Sequence, residues 1–284
     1  IVYVAYNLDK VLLGRVFGAE ALGIYGRAYQ LINLPLDNLT STVSQVAFPA
    51  LSRLQNDPVR LRSYFLQGYS LFFSLVLPLM AGCALFSEDI VRVFLGPRWL
   101  EAATIFRLLS PTMLVFALIN PSAWMLMATG RVVRSVKMAL VIAPTVILGY
   151  VVGLRSGPQG VAFGFSAAML LLAGPMVLWA THETPVSARD IVKAVSPALL
   201  SITAGAVAVF ALGRYTQAVE PVFLRLVVES FVLFATYWLM LLFTFNQKAS
   251  YVNILRELRF RKGSEKEGLE AGPDKLIENV SAPA

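Results

Sequence analysis

Residues 7–54, NLDKVLLGRVFGAEALGIYGRAYQLINLPLDNLTSTVSQVAFPALSRL, set Asp9, Lys10, Arg27 and Asp37 within sequence that otherwise reads as membrane-embedded. A charge at the centre of a bilayer costs about 2.5–3.5 kcal/mol on insertion scales, so such residues face a partner or a watered cavity rather than lipid. The stretch is therefore expected to be a helical hairpin that carries a working site.

Outside it the 284-residue chain is 57% hydrophobic and only 14% charged, with a mean hydropathy of +0.68. The apolar residues come in blocks of about 20, the length that spans a hydrocarbon core. Strict alternation over about 10 residues, the mark of a transmembrane β-strand, is absent. The expected fold class is an all-α polytopic membrane protein with about eight transmembrane helices. A net charge of +7 does not point to nucleic acid, because the basic residues sit in short loops between apolar blocks and not on a face made for phosphates. With one cysteine, Cys83, and one histidine, His182, the chain offers neither a disulfide framework nor a Cys or His metal cluster, and no metal or cofactor is expected. It opens on Ile-Val-Tyr with no Met and no charged n-region, so we expect a fragment without a signal peptide at its start, its first apolar segment cut part-way.

Taken in order, the expected spans are 1–17, 24–51 after a glycine-rich turn at 18–23, 64–86, 104–128, 138–154, 160–180, 194–213 and 226–245. Pro35 and Pro49 fall inside the second, Pro111 and Pro121 inside the fourth; each removes a helix hydrogen bond and frees a carbonyl for a neighbour or water. Loops with Arg53, Arg60 and Arg62, with Arg131, Arg134 and Lys137, and with Arg189 and Lys193 are assigned to the cytoplasm, together with a basic juxtamembrane helix after 246 and a polar, disordered tail. On this assignment thirteen Lys and Arg lie inside and six outside, which puts both ends of the chain in the cytoplasm. The loop at 87–102 reads as external, with Trp99 at the interface.

On the second helix Arg27, Gln30, Asn33, Asp37, Thr40, Ser41 and Ser44 recur at steps of three or four or close to them and project from one face. Such a stripe is either the wall of a hydrated cavity, with Arg27 offering donors to an anion and Asp37 holding a proton or Na⁺, or polar glue between helices. Asp9 and Lys10 point about 100° apart on a helix and need not pair with each other. Lys10 is either a phosphate contact in the cavity or half of a structural bridge to Asp37; Asp9 is either a further ion-coupling carboxylate or bridged to Arg27. Gln67, Arg107 and Asn120 are isolated polar residues in the third and fourth spans, and Arg107 and Glu229, near an interface, are expected to snorkel. No phosphate-binding loop, nucleophile elbow or paired-carboxylate site is present, so the chain is not expected to be an enzyme.

The run from Asp9 to Gln55, DKVLLGRVFGAEALGIYGRAYQLINLPLDNLTSTVSQVAFPALSRLQ, resembles the stretch that opens the C-terminal half of polysaccharide flippases of the MOP exporter superfamily, in the Wzx-like polysaccharide-transporter branch. GPRWLEAATIFRLLSP, 96–111, is similar to a second stretch of that family, and GRVVRSVK and GPQGVAFG fit more loosely. The resemblance covers about residues 3–164. It implies the C-terminal lobe and terminal helix pair of a fourteen-helix transporter: 1–182 as the lobe, 183–246 as the pair, and 247–284 as the cytoplasmic extension. It also implies a lipid-linked oligosaccharide, headed by a polyprenyl diphosphate, moved across the inner membrane by alternating access for lipopolysaccharide or exopolysaccharide biosynthesis. Membrane lipids and polysaccharide assembly proteins are the implied partners. A membrane-embedded polymerase or ligase, or a drug or metabolite exporter of the same superfamily, are the competing readings. Lys10 and Arg27 would supply the cationic cavity that a diphosphate requires.

Overall fold

The computed structural model describes residues 2–216 and 221–244, except the side chains of 214–216 and 244. Among these residues ten α-helices follow one another: α1 (Val2–Val16), α2 (Gly18–Arg53), α3 (Pro58–Leu85), α4 (Ser87–Phe94), α5 (Leu100–Leu109), α6 (Pro111–Ala128), α7 (Val132–Gly153), α8 (Gly157–Thr181), α9 (Ala188–Thr216) and α10 (Val222–Leu239). Among the described residues there is no strand. Five stretches are long and apolar enough to cross a membrane: Pro58–Leu85, Pro111–Ala128, Val132–Thr181, Ala188–Gly213 and Val222–Phe243. Since Val132–Thr181 holds both α7 and α8, these cover the expected third to eighth spans. The first two, α1 and α2, are not among them; they carry the polar residues of the opening stretch.

The hairpin is tighter than expected. Only Phe17 separates α1 from α2, and Gly18, at φ +83°, supplies the left-handed turn that a side chain would resist. The chain is helical through Gly23, so the glycine-rich stretch is the first turn of α2 and not a loop. The expected fourth span is likewise split. It begins as α5, breaks at Ser110 and resumes as α6, because Pro111 has no N–H for the carbonyl of Arg107. Hydroxyls repair the break: Ser110 donates to the Arg107 carbonyl at 2.7 Å, Thr112 to that of Leu109 at 2.6 Å, and Ser166 of α8 to that of Leu108. In α3 the same logic reaches across the bundle. Pro78 leaves the Ser74 carbonyl without its helix donor, and the buried hydroxyl of Tyr237 on α10 donates to it at 2.9 Å. The loop at 87–102 is helical for most of its length, as α4, a 3₁₀ turn at Pro97–Trp99 and the start of α5.

Ile1–Met240 form one compact unit, and Leu241–Ala284 a second. In the first, α2 packs on α1, α3, α5 and α6; α8 packs on α5, α6 and α7; and α9 lies between α3 and α10. Polar staples tie the outer helices on. Ser187 and Asp190 cap α9 reciprocally, and the Asp190 carboxylate also takes a two-pronged hydrogen bond from Arg62 of α3, at 2.7 and 3.1 Å. Arg225 of α10 grips Asp89 of α4 in the same manner. Glu229, expected to snorkel, is instead buried at 8% exposure, within electrostatic reach of Arg225, since it falls on the buried face of α10 with Leu226, Leu233 and Tyr237. Arg107 is exposed, and Gln67 donates to Ser63 at 3.2 Å. The expected juxtamembrane helix and tail, 247–284, lie outside the described residues.

Candidate functional site

An open cavity of about 320 Å³ lies along the polar stripe of α2, beside α1. Lys10 reaches into it from α1, and Tyr29, Gln30, Asn33, Asp37 and Asn38 line it from α2. The helix period explains the division of α2. Tyr25, Ala28, Ile32 and Leu36 recur at three or four and are buried in the bundle, so the adjoining face, with Gln30, Asn33 and Asp37, turns outward. The Lys10 ammonium donates to the Asn7 side-chain oxygen at 2.8 Å and sits 4.4 Å from the centroid of the Tyr29 ring. Among the described residues no carboxylate lies within ion-pair distance of it, although Asp9 is within electrostatic reach. Asn7 lies one helical turn before Lys10 and holds its amine over the cavity.

Asp9 turns the other way. It is fully buried, and its carboxylate accepts the Tyr25 hydroxyl at 2.8 Å and the Lys10 backbone N–H at 2.7 Å. Around it gathers an aromatic shell. Tyr25 and Tyr29 stack at 6.2 Å, Tyr6 meets Phe116 and Phe165 edge-on, and Tyr150 of α7 packs on Phe165. The Tyr150 hydroxyl is buried, lies within electrostatic reach of Asp9, and has no hydrogen-bond partner among the described residues. A carboxylate held by one hydroxyl and one amide in an apolar shell, beside an unengaged hydroxyl, has spare oxygen lone pairs for a proton or a cation.

Of the residues singled out in the sequence, Lys10, Gln30, Asn33 and Asp37 thus come together, and Asp9 lies one layer behind them. Arg27 does not line the cavity; it is exposed, 3.5 Å from Gln30 and with its guanidinium 5.8 Å from the Trp99 ring. Neither an Asp9–Arg27 nor a Lys10–Asp37 ion pair forms among the described residues. Ser41 and Ser44 donate to carbonyls of their own helix, and the Thr40 hydroxyl is buried without a partner among the described residues. Reading charges alone passes over Tyr25, Tyr29 and Tyr150. The signal for the first two was their spacing of four, which sets them on one face of α2 beside the polar stripe; nothing local marks Tyr150.

Residues 1–104, which contain the whole Lys10 cavity, match the family described as polysaccharide biosynthesis protein. That stretch is similar to the polysaccharide biosynthesis proteins. Among curated relatives, the teichuronic acid biosynthesis protein TuaB of Bacillus subtilis (strain 168) is 34% identical over 125 residues, 44% of this chain and 26% of that protein. The lipopolysaccharide biosynthesis protein WzxC of Escherichia coli (strain K12) is 29% identical over 173 residues, 60% of this chain and 35% of its own length. The chain thus spans about a quarter to a third of the curated relatives it matches. Its fold is similar to that of the lipid II flippase MurJ in an inward closed conformation, with a TM-score of 0.69 at 15% identity, over 87% of this chain and 52% of that one. The resemblance to MOP-type polysaccharide transporters is borne out, and the chain is a multi-pass membrane protein with the helical fold that resemblance implies.

Proposed function

We propose that this chain is the C-terminal part of an inner-membrane flippase, with 1–182 as its transport lobe and 183–246 as its terminal helix pair. The whole protein moves polyprenyl-diphosphate-linked oligosaccharide repeat units for lipopolysaccharide or exopolysaccharide biosynthesis, by alternating access. The observation that carries this reading is an ammonium outside ion-pair distance of any described carboxylate, Lys10, in a cavity whose other polar side chains are Tyr29, three amides and Asp37. A diphosphate needs a cation, and sugars need donors and acceptors such as Gln30 and Asn33. Arg27, one turn before Gln30 and exposed, is a second cation at the edge of the same cavity. Asp9 is the coupling residue, binding a proton or a cation beside the free hydroxyl of Tyr150, and Asp37 offers a second carboxylate on the cavity wall. The loops with Arg53, Arg131 and Arg189 face the cytoplasm in this reading.

The test uses the full-length protein in cells that lack their own copy. Losing a charge-assisted hydrogen bond costs about 1.5–3 kcal/mol, so Lys10→Ala is expected to lower surface polysaccharide about tenfold or more at an unchanged membrane level, with Arg27→Ala weaker in effect. Lipid-linked intermediates should then accumulate in the inner leaflet. Normal surface polysaccharide in both variants sinks the cavity assignment, and accumulation in the outer leaflet instead would favour a polymerase.

A further inference from the structure

A second cavity, of about 450 Å³, lies far from the first in sequence, between the start of α7 and the end of α8. Arg131, Arg134 and Lys137 line it with Trp179 and a single acid, Glu183. One of the three cations is already committed. Arg134 pairs with Glu183 at 2.9 Å and also donates to the His182 carbonyl, so it braces the chain where Glu183 turns through the left-handed region at φ +54°. Arg131 has only a long contact, 3.4 Å, to that same carbonyl. Lys137 has no ion pair or hydrogen bond among the described residues. Two cations therefore stand in excess over the one carboxylate.

Position limits what would neutralise them. Both helices belong to the apolar stretch Val132–Thr181, so their paired ends lie where hydrocarbon gives way to water, and this holds whichever face of the membrane is concerned. Trp179 is a residue type that concentrates at that depth. The same end of α7 exposes apolar residues at helical spacing, Val133 (70% exposed), Val136 (47%) and Leu140 (54%), with Lys137 set among them and Leu140 beyond all three cations. A cationic notch at headgroup level continuous with an apolar stripe is the complement of one molecule that has an anionic head and hydrocarbon tails. We infer that this notch binds the phosphate of an anionic membrane phospholipid through Arg131 and Lys137, with an acyl chain along Val133, Val136 and Leu140. Basic clefts between spanning helices hold such headgroups by this combination of charge and depth. The site is separate from the Lys10 cavity and does not depend on what is transported.

The full-length protein, purified in a neutral detergent, is titrated with phosphatidylglycerol or with phosphatidylcholine, and bound lipid is counted by native mass spectrometry. Wild type should retain phosphatidylglycerol in preference to phosphatidylcholine. Each cation near an anionic headgroup contributes enough that removing one weakens retention about fivefold, so Arg131→Gln with Lys137→Gln should cost roughly twenty-five-fold. Arg134 is left in place because it braces the turn, and the double variant should melt at the wild-type temperature when lipid is absent. Substituting Arg53→Gln and Arg60→Gln, at the junction of α2 and α3, should leave retention unchanged. Equal retention of the two lipids, or full retention by the double variant, overturns the proposal. So does inorganic phosphate that displaces phosphatidylglycerol and stabilises the protein equally well, since that result assigns the notch to a soluble anion.

Discussion

Lys10 and Asp9 are neighbours in the chain with opposite surroundings, one over an open cavity and the other fully buried among tyrosines. The 100° between consecutive helical residues made that divergence legible. What each would meet was not legible, since Tyr25 is sixteen residues from Asp9, and Tyr150 reaches it from α7. Pairing between helices is decided by which faces pack, and no local pattern encodes it. The carboxylate depends on Tyr25 to a degree that can be measured. Tyr25→Phe leaves a buried acceptor with one backbone donor, at a cost of about 1–3 kcal/mol, and should lower the melting temperature of the purified protein. Once Asp9 is replaced by Asn, the same substitution should cost less, with a coupling of about 0.5–3 kcal/mol in the double-mutant cycle. Strictly additive effects would mean that the bond contributes nothing to the fold.

At the scale of helices, apolar block lengths located the spans well, while their ends and breaks depended on features that hydropathy averages away. Gly18 closes the first hairpin in one step, and Pro111 divides a span whose exposed carbonyls are then taken by Ser110, Thr112 and Ser166. The closest packing rests on four glycines in two G-x-x-x-G pairs, Gly149 and Gly153 on α7 and Gly160 and Gly164 on α8. A Cβ at Gly164 would lie 2.1 Å from the Gly149 carbonyl oxygen, and one at Gly153 would lie 2.2 Å from that of Gly160. The two backbones therefore touch, as small residues allow in membrane helices, and this contact places Tyr150 beside Asp9. Gly164→Ala must push the helices apart, and overpacking of this sort costs about 1–3 kcal/mol. A Cβ at Gly174, on the same helix, would meet nothing within 4 Å. There Ala should be neutral or stabilising by up to about 1 kcal/mol, since it is the better helix former. Thermal unfolding of the two variants side by side separates close packing from helix propensity; equal melting temperatures would refute the contact.

Across the whole molecule the long-range ion pairs sort the loops into two sets. Arg62 with Asp190, and Arg134 with Glu183, join connections that the charge pattern assigns to one side, while Asp89 with Arg225 joins connections assigned to the other. An error of one span in the order of crossings would have put partners of such a pair on opposite sides of a bilayer. Alternation was thus readable from apolar blocks and loop charges together, although the same residues give no hint of which loops would touch. Single cysteines in a Cys83→Ser background test both the alternation and the proposed orientation. Asp57→Cys and Glu183→Cys should behave alike, protected from an impermeant maleimide in intact cells and labelled once the inner membrane is opened. Glu88→Cys and Arg155→Cys, at exposed positions on the other set of loops, should label in intact cells with a permeable outer membrane. Exchange of the two results inverts the orientation and leaves the fold standing. Unlike labelling within either pair would break the order of crossings itself, and with it the assignment of the Lys10 cavity to a wall of the transport path.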